Sequence, residues 1–122
     1  MKIRTHRELE VYELAFKIAV EIYKLSKLFP KEETYSLTDQ IRRSSRSVCA
    51  NLAEAFRKRK YPKHFVSKLT DSESEAAETQ VWLDFALEFG YIDEETYARL
   101  DSSCNSVIGM LVTMSNQPEK WT

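Results

Sequence analysis

Eight cations gather in one region of the chain: Arg42, Arg43 and Arg46, then Arg57, Lys58, Arg59, Lys60 and Lys63. A guanidinium offers a planar fork that donates two hydrogen bonds to a phosphate, and clustered cations add the release of condensed counterions. The chemistry indicated is contact with the backbone of RNA or DNA. Two plainer readings stand beside it. Cations near a helix C-terminus complement the helix dipole, and these arginines could pair with Asp71, Glu75 and Glu78 further along. The stretch "DQIRRSSRSVCANLAEAFRKRK" also sets Ala50 and Ala53 among the arginines, where a solvated helix more often carries Glu, Lys or Gln. Small residues there leave room for a neighbouring subunit or a phosphate to approach the backbone closely.

Catalytic chemistry has thinner support. Arg59 and His64 have an Arg-x4-His spacing that resembles the motif of a family of all-helical ribonucleases. A histidine beside an arginine suits general acid or base work on a phosphate, but the spacing is short and Pro62 interrupts it. Ser44, Ser45 and Ser47 have no histidine within helical reach, so a nucleophilic site is not indicated. Two histidines and scattered carboxylates make no metal-ligand set, and two glycines build no phosphate loop. Asn51 and Glu54 read as polar groups that tie helices or subunits together. The expectation is a protein without enzymatic activity, metal or cofactor.

Composition narrows the class. The 122 residues suit one domain with one modest core, 43% of them are hydrophobic and 30% charged, and Gly and Pro are scarce. This composition favours long helices. No apolar run reaches membrane-spanning length and the N-terminal "MKIRTHRELE" has no apolar signal core, so the expected location is the cytoplasm, with no membrane partner. Cys49 and Cys104, far apart and outside any CxxC, read as reduced small residues, half-buried. The net charge of −1 hides an asymmetry: residues 1–68 sum to +8 and residues 69–122 to −9. Such halves mark a nucleic-acid surface, or else neutralise each other. No helix-turn-helix or zinc-finger spacing points to base-specific readout.

The elements that must position these cations are four helices. Thr5-x-x-Glu8 reads as a capping box for a first helix of about 22 residues that ends before Phe29-Pro30. A second opens near Ser36, with Asp39 three positions on, and carries Leu37, Ile41, Ser44, Val48, Leu52 and Ala55 on its core stripe to about Lys58. Pro62 opens a third, with Phe65, Leu69, Ser72, Ala76, Leu83 and Leu87 inward and Gly90 as its left-handed cap. Asp93, Glu94 and Glu95 begin a fourth that runs to about Asn116. Short connections force antiparallel neighbours, so the fold class is all-α, an antiparallel up-down four-helix bundle. Arg42, Arg46 and Arg57 share a face of the second helix away from the core. Two apolar stripes are left over: Leu9, Tyr12, Phe16, Val20 and Tyr23 on the first helix, and Trp82, Phe85 and Phe89 continuing the acidic flank of the third. A chain this size has no core for both, so they predict a homo-oligomer whose interface includes Tyr12, Phe16, Ala50, Ala53, Trp82, Phe85 and Phe89.

The order and spacing of several residues resemble the four-helix-bundle proteins encoded in intervening sequences of large-subunit (23S) ribosomal RNA genes. The shared pattern comprises Phe29, Pro30, Glu33, Tyr35, Leu37, Gln40, Arg42 and Arg43, then Ser47, Asn51, Ala53 and Glu54, then Gly90 and Tyr91. The similarity spans nearly the whole chain, with Cys49 where the family often has Pro and Ala55 where it often has Gly. The resemblance implies a homopentameric ring. It also implies kinship with reverse-transcriptase accessory proteins of diversity-generating retroelements, and hence RNA, DNA, a reverse transcriptase or a ribosomal component as partner.

Overall fold

The computed structural model describes residues 3–121. Four helices follow one another: α1 (Glu10–Ser26), α2 (Leu37–Arg57), α3 (Pro62–Glu88) and α4 (Glu94–Asn116). Each packs on its chain neighbours, and α1 closes on α4, which makes an antiparallel up-down four-helix bundle. The apolar periodicity explains the core. Ile22, Ile41, Leu52, Phe65, Leu69 and Leu83 are almost completely buried, one stripe from each of the first three helices, and Leu100, Val107 and Leu111 complete it from α4.

The most extensive packing is between α2 and α3. Their seam is built from small hydroxyl side chains, which lets the two backbones come close while every buried oxygen keeps a partner. Ser72 Oγ donates to the Val48 carbonyl at 2.8 Å, and Thr79 Oγ1 hydrogen-bonds Ser44 Oγ at 2.9 Å. These two bonds fix the register of α3 against α2.

The N-terminus departs from expectation. Thr5 and Glu8 cap a separate 3-10 turn at His6–Glu8, Thr5 Oγ1 accepting from the Arg7 N–H and Glu8 Oε1 from the Arg4 N–H at 3.0 Å. Leu9 then takes an extended backbone and α1 starts only at Glu10, giving 17 residues. The break turns Leu9 into the core, where it is buried, so it leaves the surplus stripe to which the wheel assigns it. Ser36 does not cap α2 with its hydroxyl either. It donates to Glu33 Oε1 at 2.7 Å, and that same oxygen accepts from the first N–H of the helix, that of Leu37. At the far end of α3, Gly90 holds φ at +77°, the left-handed conformation that a terminating glycine supplies. α2 runs unbroken past Cys49 and Ala55.

Candidate nucleic-acid interface

The bundle splits the eight cations into two groups, since about 16 Å of helix separates Arg46 from Arg57 at 1.5 Å per residue. The first group lies over α1. Arg42 is half-buried, donates from Nε to Ser26 Oγ at 2.7 Å, and holds its guanidinium 4.7 Å from the centre of the Tyr23 ring. Arg46 and Lys27 face the same ring, at 5.7 and 4.8 Å. Arg42 is therefore not on an outward face, as its wheel position indicates; its long side chain reaches back across the α1–α2 seam. Arg43 remains exposed.

The second group occupies one end of the bundle. α2 closes at Arg57, α3 opens at Pro62, and between them Lys58, Lys60 and Lys63 are exposed. Arg59 holds its guanidinium over the Phe56 ring, 3.6 Å from its centre, and donates to the Phe56 carbonyl. Tyr61 is exposed beside them, with Lys60 over its ring and His64 against it. Arg59 and His64 thus engage different aromatics. The antiparallel topology brings the 3-10 turn to this same end, where it packs on α2 and adds Arg4 and Arg7, two cations that reading the second helix alone misses. α3 begins here with no acidic residue in its first turn and no side-chain cap on its N-terminus, so the positive end of its dipole adds to the same field. The opposite end carries Glu32, Glu88, Asp93, Glu94 and Glu95. The difference between the two halves of the sequence becomes a polarity along the bundle.

The acidic flank of α3 does not neutralise these arginines. Among the described residues the ion pairs are Lys68 with Glu54 and Asp71, both at 3.4 Å, and Arg99 with Glu21. Burial, then the nearby charges of Glu78 and Asp71, raise the Glu75 carboxyl above the usual carboxylate range. Glu54 does tie α2 to α3, while Asn51 donates to the Ser47 carbonyl of its own helix.

The expected interface residues fall on two surfaces. Tyr12, Phe16, Val20 and Tyr23 join Arg46 and Cys49 around an apolar groove of about 370 Å³ between α1 and α2. On α3, Trp82, Phe85 and Phe89 stack in sequence at ring separations of 6.0 and 5.8 Å, and Trp82 Nε1 donates to Glu78. Trp82 is half-buried against the core, whereas Phe85 and Phe89 are exposed by 44% and 53%. Ala50 lies exposed on α2 and Ala53 is half-buried. Cys49 and Cys104 are free thiols, and burial pushes them up to about 11 and about 12. No helix among the described residues is long and apolar enough to cross a membrane.

Sequence reasoning also missed a clasp at the acidic end. Tyr91 donates from its hydroxyl to Glu33 Oε2 at 2.8 Å and packs its ring 5.4 Å from Phe29. Phe29, Glu33, Gly90 and Tyr91, distant in sequence, are thereby one structural unit. Tyr35 from the same pattern is instead 94% exposed.

No curated protein matches this chain. A solved structure does: a protein of unknown function from the S23 ribosomal protein family of Bacteroides thetaiotaomicron, 28% identical, with a TM-score of 0.78 over 87% of this chain and 95% of that one. Residues 7–113 match the 23S rRNA-intervening sequence protein family, a span that holds α1 to α3, all but the last residues of α4 and the Phe29–Glu33–Tyr91 clasp, and the chain belongs to that family.

Proposed function

We propose that the protein is a non-enzymatic, self-associating scaffold of the cytoplasm that binds the backbone of RNA or DNA through the basic end of its bundle. The observation that carries this reading is the convergence of Arg57, Lys58, Lys60 and Lys63 with Arg4 and Arg7 at one end, none of them in an ion pair among the described residues. Arg59 on Phe56 and the exposed Tyr61 supply flat surfaces on which an unpaired base can stack. The sequence has no helix-turn-helix or zinc-finger spacing for base readout, so affinity should depend on salt far more than on sequence. Two variants test it. Replacing Lys58, Lys60 and Lys63 together by Gln removes cations of the end, and replacing Arg42 and Arg46 by Gln removes those of the Tyr23 cluster. Loss of binding to a labelled single strand in the first variant and its retention in the second is the expected result; the reverse places the contact on the α1–α2 face. His64→Ala should change neither binding nor the integrity of the RNA, and RNA cleavage that depends on His64 would replace the scaffold by a ribonuclease.

The exposure of Leu28 and Tyr35 at the acidic end favours a second reading, in which the oligomer docks a protein, such as a reverse transcriptase or a ribosomal component, without touching nucleic acid. Wild-type protein that never retains RNA or DNA supports that reading over the first.

A further inference from the structure

We infer that the pocket where α2 ends seats one unpaired guanine of the bound strand, its ring against the Arg59 guanidinium and its O6 and N7 on the fork of Arg57. The inference rests on the nucleic-acid reading above and adds the base that this end prefers.

The pocket is lined by Phe56, Arg57, Arg59 and Lys60 and measures about 290 Å³. Ligand pockets run from about 300 to 1,000 Å³, so this one stands at the lower limit and suits one flat ring system rather than a base pair. Its floor is built for stacking. Phe56 is almost completely buried, and the Arg59 guanidinium covers its ring while Nη1 is anchored to the Phe56 carbonyl at 3.0 Å. Phe56 takes one side of the guanidinium, and the anchor fixes it in place, which leaves the other side for a base. Unstacked bases of single strands stack on guanidinium planes, and a plane already held needs little further ordering to receive one.

The chemistry of the walls selects the base. Arg57, Arg59 and Lys60 carry donors and no acceptor. None of them pairs with a carboxylate among the described residues, and Glu54, three positions before Arg57, is engaged by Lys68. The Phe56 carbonyl already accepts twice, from the Arg59 N–H at 3.4 Å and from Arg59 Nη1. A base that turns an amino group to these walls leaves that amine without a partner. Adenine carries N6 and cytosine N4 on that edge, whereas guanine presents two acceptors, O6 and N7, at the spacing of a guanidinium fork. Uracil offers O4 alone and a smaller ring to stack. Arg59 uses its plane for stacking, so the fork that reads the edge is that of the exposed Arg57. Lys60 lines the pocket and holds its ammonium 5.5 Å from the centre of the exposed Tyr61 ring. It thus stands where the phosphate between the seated guanine and a neighbour stacked on Tyr61 would pass.

The test uses a short labelled RNA of adenines whose central base is varied, with affinity followed by anisotropy at about 50 mM salt. A central guanine should bind the wild type about tenfold more tightly than a central adenine, the discrimination of one bidentate contact. Inosine, which keeps O6 and N7, should match guanine, and 7-deazaguanine, which lacks N7, should fall towards adenine. Arg57→Ala should bring the ratio of guanine to adenine affinity to about one, whereas Lys58→Gln, outside the pocket, should weaken both strands and keep the ratio near about ten. Circular dichroism checks that both variants keep the helix content of the wild type, and the base analogues test the wild type itself. Equal affinity for the guanine and adenine strands, 7-deazaguanine equal to guanine, or a ratio that survives Arg57→Ala overturns the guanine site and leaves the backbone reading standing. A wild type that retains none of the strands at this salt overturns both.

Discussion

Glu33 accepts from Ser36, from Tyr91 and from the first N–H of α2, and those three donors hold its carboxyl below the usual carboxylate range. A lowered folded value contributes stability that is fully present above the unfolded value and is lost as pH falls through the lowered one. Glu33→Gln should therefore lower the melting temperature at pH 7 and erase part of the acid destabilisation between about pH 5 and pH 3, which a thermal melt across pH shows directly. The Arg42 side chain makes a second case. With a hydroxyl bonded at 2.7 Å and a ring under its guanidinium, Arg42→Ala should cost about 1 kcal/mol, whereas Arg43→Ala, fully outward, should stay within about 0.5 kcal/mol in chemical denaturation. The wheel could not show this difference, because it places Cα atoms and says nothing of where a long side chain ends. The Glu33–Tyr91 clasp was hidden for a related reason: its partners are 58 positions apart, and no local pattern connects them.

At the scale of elements, the helices were legible because burial imposes its period on the sequence. Leu37, Ile41, Ser44, Val48, Leu52 and Ala55 form the stripe expected of α2, and all six are buried. Ends were less legible. Thr5 and Glu8 look the same whether they cap an α-helix or a 3-10 turn, and only the burial of Leu9 requires the chain to straighten between that turn and α1. The outer face of α3 gives a prediction of opposite sign. The Glu75 carboxyl is raised, chiefly by burial and then by the charges of Glu78 and Asp71, so its contribution to stability is present at low pH and is lost as pH rises through the raised value. Glu75→Gln should therefore raise the melting temperature at pH 7 and leave it nearly unchanged at about pH 4, which thermal melts of the two proteins at both pH values check.

The whole molecule is polar along its axis. The sequence carried the charges, +8 before residue 69 and −9 after it, but not their distribution, which depends on antiparallel helices returning Arg4 and Arg7 to the end where Arg57 to Lys63 lie. Of the eight cations singled out in the sequence, the structure keeps Arg57, Lys58, Arg59, Lys60 and Lys63 together, and it draws Arg42 and Arg46 onto Tyr23. The central claim is that this basic end holds a nucleic-acid backbone, and the most direct measurement is the affinity for a labelled single-stranded RNA, followed by anisotropy, as salt is varied. For the wild type, log K should fall linearly with log salt; for the chain with Lys58, Lys60 and Lys63 replaced by Gln, the line should be flatter by about 2 units, the value for three phosphate contacts on a single strand. Equal slopes for the two proteins, or no binding by the wild type at about 50 mM salt where such contacts are strong, would contradict it.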